Sequence, residues 1–198
     1  MSKLLLATRN IHKQQELQTI LYGSGIELIT LRDVAELPEI IEDGATFADN
    51  ALKKAQITAQ LSGYLCLADD SGLEVNCLDN RPGIYSARYA GEPANDAANN
   101  HKLLVEMSNI PGAERTARFV CVLALALPEG AHWLIQGVCQ GRIGFEAKGI
   151  NGFGYDPLFI PEGYEYTFAE LPTYTKNQIS HRAKALDQLP SILRKVIM

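Results

Sequence analysis

The first third of the chain predicts strands that alternate with helices. Three short apolar runs have the length and composition of buried strands: residues 3–7, 26–30 and 64–68. Apolar residues at helical spacing between them predict one helix that stops at Gly23 and a second that runs from Thr46 to about Gly63. A parallel arrangement of such strands, covered by helices, is the usual result of this order.

The rest of the chain adds antiparallel strands and a long final helix. The expected elements, in chain order, are a strand at 73–77, a polar helix at about 96–107, and a hairpin of 119–127 with 133–138 that 140–147 extends. The last helix is expected from about Lys176 to Ile197, bent or broken at Pro190. The whole pattern predicts an α/β fold, a two-lobed mixed sheet with flanking helices, in a single domain over residues 1–198.

Composition narrows the classes of function. The net charge of −5 argues against a protein that grips a nucleic-acid backbone. Neither a signal peptide nor an apolar run long enough to cross a bilayer is visible, so no membrane contact and a cytoplasmic location are expected. Four cysteines without metal-binding spacing are predicted to be buried and reduced: Cys66, Cys77, Cys121 and Cys139.

Two adjacent carboxylates, Asp69 and Asp70, follow the apolar run that ends at Ala68. Adjacent carboxylates repel each other, and a cation such as Mg²⁺ would keep both ionised. The alternative is an ordinary acidic turn, with Gly72 available for a positive φ. These residues alone leave both interpretations open.

An acidic loop precedes the helix that begins at Thr46. A carboxylate of this loop could complete a Mg²⁺ site with the aspartates, or the acidic residues could simply favour a helix N-terminus. The loop carboxylates are Glu39, Glu42 and Asp43. The exposed face of the helix is predicted to carry Asn50, Lys53 and Lys54.

The segment from Thr8 to Lys13 lies on a strand-to-helix turn. Free backbone N–H groups and the helix dipole favour a phosphate there, and Lys13 would point its ammonium at the same anion. The alternative is that Asn10 only caps the helix and that Lys13 is a solvated surface residue. The segment lacks the glycines and the Gly-Lys-Ser/Thr ending of a Walker A loop.

Two further segments have residues suited to a nucleoside. The loop 149–156 interleaves glycines with aromatic residues, so its backbone can approach a ligand and a ring can cover a base, although hairpin connections also look like this. His181 and Arg182 offer planar hydrogen-bond donors suited to carbonyl oxygens of a nucleobase. The alternative is that the pair is simply exposed on a helix surface, which is the more common case for His and Arg.

Five motifs occur together and in order: Thr8-Arg9-Asn10-Ile11-His12-Lys13, Ala68-Asp69-Asp70-Ser71-Gly72-Leu73, Pro82-Gly83-Ile84-Tyr85-Ser86-Ala87-Arg88-Tyr89, Gly152-Phe153-Gly154-Tyr155-Asp156-Pro157 and Ile179-Ser180-His181-Arg182. From end to end the chain closely resembles the inosine triphosphate pyrophosphatase family, the bacterial non-canonical purine nucleoside triphosphate pyrophosphatases. The resemblance implies Mg²⁺-dependent hydrolysis of ITP, dITP and XTP to the monophosphate and pyrophosphate. It also implies a homodimer and an active site in the cleft between two lobes.

The resemblance also assigns roles by position. Asp70 is implied as the proton acceptor and a metal ligand, Glu42 as the second ligand, Asp69 as a supporting residue and Ser71 as a substrate contact. The implied triphosphate contacts are Thr8, Arg9, Asn10, Ile11, His12, Lys13 and Lys54, and the implied nucleoside contacts are Phe153, Gly154, Tyr155, Asp156, Lys176, His181 and Arg182. Arg9 departs from the small residue that members often carry.

The hypothesis from the sequence is that Asp70, holding the metal with Glu42, positions and deprotonates water. Lys13 and Lys54 would stabilise phosphate oxygens, while donors such as His181 or Arg182 would bond the purine 6-carbonyl and disfavour the amino group of adenine. Two alternatives are a Maf-like nucleotide pyrophosphatase, whose motifs differ, and a non-catalytic nucleotide sensor on the same scaffold.

Overall fold

A computed structural model of the chain describes residues 3–23 and 25–197. The strands are β1 (Lys3–Leu6), β2 (Glu27–Thr30), β3 (Leu65–Val75), β4 (Arg81–Pro82), β5 (Thr116–Ala126), β6 (His132–Ile143) and β7 (Phe159–Pro161). The α-helices are α1 (Ile11–Leu21), α2 (Phe47–Ser62), α3 (Asp96–Glu106), α4 (Thr173–Ile179), α5 (His181–Leu186) and α6 (Leu189–Ile197). Three short 3₁₀ helices cover Asn76–Leu78, Gly83–Arg88 and Gly112–Glu114.

The strands form one mixed sheet in the order β2-β1-β3-β5-β6-β7, with β4 paired to β3. β1 is parallel to both of its neighbours, so that Leu5 lies opposite Ile29 on one side and Cys66 on the other. β4 is antiparallel to β3, and β7 is antiparallel to β6. This arrangement confirms the predicted α/β class with a mixed sheet and flanking helices.

The described chain divides into two compact units. Unit 1 consists of the residues up to Asp70, Cys121–Gly137 and the residues from Arg182 onward, and unit 2 consists of Ser71–Val120 and Val138–His181. Each unit has an apolar core of its own, which matches the two lobes expected from the sequence. None of the helices in the described residues is both long and apolar enough to cross a membrane.

The core of unit 1 combines residues of β1, α1 and β3 with residues of the later elements β5, β6, α5 and α6. Its buried members are Leu4, Leu6, Leu17, Leu21, Leu67, Cys121, Leu123, Leu125, Ile135, Ala185, Leu186, Leu189 and Leu193. The core of unit 2 is richer in aromatic rings and includes Leu73, Val75, Leu103, Met107, Phe119, Tyr155, Phe159 and Phe168. The four cysteines form no disulfide, and all but the half-buried Cys77 are buried as predicted.

The prediction that a strand ends at the two aspartates is wrong. β3 continues through Asp69, Asp70 and Ser71 to Val75 as one strand. Gly72 does not adopt a positive φ, so no turn forms there. The strand can continue because the positive charges beside Asp69 and Asp70 offset the cost of burying the two carboxylates in unit 1.

The single C-terminal helix is also a wrong prediction, because α4, α5 and α6 replace it. The first break comes at Ser180, whose extended backbone ends α4. Pro190 breaks nothing, since it is the second residue of α6, where a missing backbone N–H has no helical partner to lose. The predicted extension at 140–147 is not a separate strand, because residues 140–143 are the end of β6.

Candidate functional site

Asp69 lies at the centre of a charged group in unit 1. The Lys13 ammonium pairs with its Oδ1, while Oδ2 accepts hydrogen bonds from Arg182 Nε at 3.1 Å and Cys121 Sγ at 3.0 Å. Burial by itself would raise the pKa of Asp69, but the charges of Arg182 and Lys13 outweigh burial and hold that pKa well below its ordinary value. Asp69 is therefore an ionised carboxylate clasped by two cations.

The second partner of Arg182 is Glu16, whose carboxylate binds the Nη1 atom. Arg182 is 1% exposed, and the charges of Asp69 and Glu16 raise its pKa against the opposing effect of burial. The sequence grouped Arg182 with His181 as a donor for a nucleobase, and in the structure Arg182 belongs to unit 1 and His181 to unit 2. The guanidinium is engaged by two carboxylates in unit 1.

The N-terminus of α1 is capped by Asn10, whose Oδ1 accepts from the N–H groups of His12 and Lys13 at 3.0 and 3.1 Å. Thr8 Oγ1 accepts from Asn10 N–H at 3.2 Å, and Gln14 Nε2 donates to the Thr8 carbonyl at 2.6 Å. Asn10 therefore caps the helix, as one of the two interpretations expected. The prediction of a solvated Lys13 in that same interpretation is wrong. The Lys13 side chain is only 15% exposed.

Ile11 and His12 are exposed on the first turn of α1. Arg9 is exposed as well, and its Nη2 donates to the Leu37 carbonyl at 3.0 Å. The departure from a small residue at position 9 therefore adds a contact between the turn and the acidic-loop side of unit 1.

Asp70, the next residue in β3, has different surroundings. Burial raises its pKa to about 6, and the negative charge of Glu42 adds to this effect. Lys13, Lys54 and a side-chain hydrogen bond with Asn50 act in the opposite direction without restoring the usual value. The two adjacent aspartates thus have pKa values shifted in opposite directions.

Asn50 is 2% exposed, so the prediction that it lies on the exposed face of α2 is wrong. Its Oδ1 accepts from Gly44 N–H at 2.7 Å, and its hydrogen bond with Asp70 draws the side chain inward. Lys54 Nζ binds Glu42 Oε1 at 2.6 Å. These contacts place Glu42, Asn50, Lys54 and Asp70 in one neighbourhood.

Asp70 and Glu42 are the carboxylates of this neighbourhood that could hold a metal. Among the described residues, no group of three or more His, Cys, Asp and Glu side chains could form a complete protein cage. The repulsion between Asp70 and Glu42, which raises the Asp70 pKa, is what an added cation would relieve. Mg²⁺ fits such a site, because it is commonly held by one or two carboxylates with phosphate and water as the other ligands.

In unit 2 the glycine-aromatic loop is tied to α4 by a buried ion pair. Lys176 Nζ lies 2.5 Å from Asp156 Oδ2, which also accepts from Phe153 N–H at 2.8 Å. The Lys176 ammonium lies 4.9 Å from the centre of the Phe153 ring. Gly152 has φ +76°, and a Cβ at this position would overlap the Asp156 carboxylate, so glycine is required.

Unit 2 also contains the other predicted nucleoside residues except Arg182, which belongs to unit 1. Gly154 and the buried Tyr155 lie in the same loop as Phe153. His181 is buried, and its ring stacks on Phe119 with centroids 4.7 Å apart. Ser71 is half-buried in β3.

Sequence reasoning did not find three residues that complete these groups: Glu16 and Cys121 in unit 1, and Phe119 in unit 2. Glu16 carried a usable signal, because it follows Lys13 by three residues and shares its helix face. Cys121 carried none, since a thiol inside an apolar strand is typical of ordinary core packing.

The fold and the two groups of residues define an α/β protein whose polar side chains suit phosphate and a hard cation. The model of the family described as "Ham1 family" matches residues 4–192. The chain therefore belongs to the Ham1 family, which confirms the family expected from its motifs and rejects the Maf-like alternative.

Curated relatives extend over nearly the whole chain. The "dITP/XTP pyrophosphatase" of Desulforamulus reducens is 50% identical over 194 residues, 98% of this chain and 96% of the relative. The protein of the same name from Oceanobacillus iheyensis is 48% identical over 99% of this chain and 100% of the relative. Among solved structures, a HAM1 protein from Coxiella burnetii has a TM-score of 0.89 and 40% identity, with coverage of 98% and 100% of the two chains.

Loss of the Arg182 side chain should destabilise the protein strongly. In Arg182→Met the carboxylates of Asp69 and Glu16 stay buried without the guanidinium, and we expect the free energy of unfolding to fall by about 3–5 kcal/mol. Urea unfolding measures this change. Lys53→Met, which removes an exposed ion pair with Asp43, is the matched control and should change little. Equal losses in both variants would refute the structural role of Arg182.

Asp70 should make the metal-free protein less stable as the pH rises. An aspartate in an unfolded chain ionises near pH 3.9, about two units below the folded value of about 6, so the folded chain binds more protons in this window. The stability of Asp70→Asn relative to the wild type should therefore grow as the pH rises from about 4 to 6, and above pH 6 the gain should reach about 3 kcal/mol. Urea unfolding from pH 4 to 7.5 in a chelator measures the difference.

Asp69→Asn is the matched variant of opposite sign. The depressed pKa of Asp69 stabilises the fold above the pH at which an unfolded aspartate ionises, and this stabilisation is lost as the pH falls through the folded value. Asp69→Asn should therefore be less stable than the wild type at pH 7. If the two asparagine variants shift stability in the same direction at pH 7, the opposite pKa shifts are wrong.

Proposed function

We propose that this chain hydrolyses non-canonical purine nucleoside triphosphates, ITP, dITP and XTP, to the nucleoside monophosphate and pyrophosphate. One observation carries the proposal. A pair of carboxylates, Asp70 and Glu42, is grouped with Lys13 and Lys54 in a chain about half identical to enzymes named dITP/XTP pyrophosphatase. Such an activity would clear deaminated purines from the nucleotide pool.

Asp70 is the proposed proton acceptor for the attacking water. A pKa of about 6 keeps it largely ionised at neutral pH yet basic enough to take a proton, which suits a general base. Asp70 and Glu42 are also the proposed ligands of Mg²⁺, which when bound supplies charge neutralisation at the phosphates and the leaving pyrophosphate. Asn50 fixes the Asp70 side chain through its hydrogen bond.

Lys13 and Lys54 are the proposed cations for the triphosphate. Each is held by a carboxylate, Lys13 by Asp69 and Lys54 by Glu42, so their ammonium groups are positioned before any phosphate arrives. The N-terminal turn of α1 adds backbone N–H groups and the positive end of the helix dipole. The proposed contacts in that turn are Thr8, Arg9, Asn10, Ile11 and His12.

The proposed nucleoside contacts lie in unit 2: Phe153, Gly154, Tyr155, Asp156, Lys176 and His181. Ser71, also in unit 2, is a proposed substrate contact. The imidazole of His181 is held in place by Phe119, and a ring N–H donor would bond the 6-carbonyl of inosine or xanthine. The 6-amino group of adenine would meet the same donor unfavourably. Arg182 is proposed to hold the Asp69 carboxylate in place and not to hydrogen-bond the base.

We further propose that residues 1–198 form one domain. Each unit is assembled from separated segments, because the chain passes between the units after Asp70, Val120, Gly137 and His181.

A homodimer and a cytoplasmic location stay predictions of the sequence, and so does the absence of nucleic-acid binding.

Substrate selectivity tests the proposed function most directly. Pyrophosphate release with Mg²⁺ should show kcat/KM for ITP and XTP above that for ATP by a factor on the order of 10² or more, because a buried donor rejects the adenine amino group. GTP is assayed in parallel. Equal turnover of ITP, XTP, GTP and ATP would contradict the selectivity, and no pyrophosphate from any of them would favour a non-catalytic nucleotide sensor.

Replacement of Asp70 tests the assigned base. Asp70→Asn should lower kcat by about 10²- to 10⁴-fold, the usual effect of losing a placed base, while the protein stays folded. Asp187→Asn removes an exposed carboxylate from the link between α5 and α6 and should leave turnover unchanged. Ordinary turnover in an Asp70→Asn protein that still binds Mg²⁺ and nucleotide would exclude Asp70 as the base.

A further inference from the structure

The glycine-aromatic loop of unit 2 is held by two residues of α3 that no motif contains. Gly154 N–H donates to Asp96 Oδ2 at 2.7 Å, and the Gly154 carbonyl accepts from Asn100 Nδ2 at 3.0 Å. Asp96 and Asn100 are four residues apart and therefore share one face of the helix. Together they bind the two successive peptide units that flank the Cα atom of Gly154.

A second anchor holds the next residue of the loop. The hydroxyl of the buried Tyr155 donates to the Ser86 carbonyl at 2.9 Å. Ser86 lies in the 3₁₀ helix Gly83–Arg88, and its Oγ accepts from Leu73 N–H at 2.9 Å while it donates to the Gly83 carbonyl at 2.6 Å. Ser86 thus connects the loop to β3 two residues beyond Ser71. This contact gives a role to the motif 82–89, to which the sequence assigned none.

The loop needs such anchors because of its glycines. Gly152 and Gly154 have φ values of +76° and +61°, and glycine retains the greatest backbone freedom of any residue. A loop that became ordered only on binding would lose that entropy at the expense of affinity. The Phe153 ring, which faces the Lys176 ammonium, shares this backbone and would lose its position with it.

We propose that Asp96 and Asn100, aided by the Ser86 to Tyr155 hydrogen bond, are positioning residues that preorganise the loop for the nucleoside part of the substrate. The inference rests on the proposed function, in which this loop binds the nucleoside. Asp96 and Asn100 act through the backbone of Gly154 and need no contact with the substrate. Their loss should therefore weaken nucleoside binding and leave phosphate binding and the chemical step intact.

The test compares two probes that share only phosphate. Isothermal titration in the presence of Mg²⁺ measures the Kd of IMP, which has a base and a ribose, and of inorganic tripolyphosphate, which has neither. In Asp96→Ala/Asn100→Ala the Kd of IMP and the KM for ITP should rise about tenfold, as expected from two lost hydrogen bonds. The Kd of tripolyphosphate and kcat should stay within about twofold of the wild type, below the effect of one hydrogen bond.

Three further variants sharpen the result. Asp96→Asn keeps an oxygen acceptor for Gly154 N–H and should retain most of the affinity for IMP. His101→Ala changes an exposed residue of the same helix and is the control. Tyr155→Phe removes only the hydroxyl that reaches Ser86 and should raise the Kd of IMP on its own, which keeps the test decisive if the double variant does not fold.

Unchanged IMP affinity in the double variant and in Tyr155→Phe would overturn the inference, as would an equal loss of affinity for IMP and tripolyphosphate. These outcomes are separate from a failure of the proposed function. That failure would show in the wild type as an absence of ITP hydrolysis.

Discussion

The buried ion pairs of Asp69 are the interaction on which unit 1 depends. An isolated carboxylate inside a protein is very costly, and this one is stable because Lys13 from α1 and Arg182 from α5 both reach it. Glu16, on α1, binds the Nη1 atom of the same guanidinium. One network of two anions and two cations therefore holds two helices to the middle of β3, and it also fixes the lysine proposed to meet the phosphates.

The same strand explains why two adjacent aspartates differ. Successive side chains of a strand point to opposite faces, so continuous β3 geometry sends Asp69 and Asp70 in opposite directions. Asp69 meets Lys13 and Arg182, whereas Asp70 has Asn50 beside it and the charge of Glu42 nearby. A turn at these residues would not have separated them in this way. The proposed division between a supporting and a reactive carboxylate rests on this strand geometry.

Much of the architecture could be predicted because its signals are local. Apolar runs and helical spacing located β1, α1 and α2, and the capping residues Thr46 and Gly63 bound α2 as expected. The continuation of β3 was hidden because both of its faces are buried, so the alternation that reveals a strand is absent and polar residues read as a turn. Ser180 ends α4 through its backbone conformation, for which the sequence carries no clear signal.

The candidate site was predictable in its residue types and less so in its partners. Arg182 is 113 residues from Asp69 and 166 from Glu16, and no periodicity reports a contact over such separations. Asn50 was placed on the exposed face of α2, and only the contacts of its side chain with Gly44 and Asp70 explain its burial. The motifs thus supplied the candidate residues, and the fold decided which of them touch each other.

The central claim is that Asp69 and Asp70 exist in different electrostatic states. NMR titration of the carboxyl carbons in ¹³C-aspartate-labelled, metal-free protein measures both groups directly. Asp69 should stay ionised through the range near pH 3.9 in which an ordinary aspartate takes up a proton, while Asp70 should titrate near pH 6 and move to lower pH when Mg²⁺ is added. Two carboxyl groups that titrate together near pH 3.9, with no response to Mg²⁺, would contradict it.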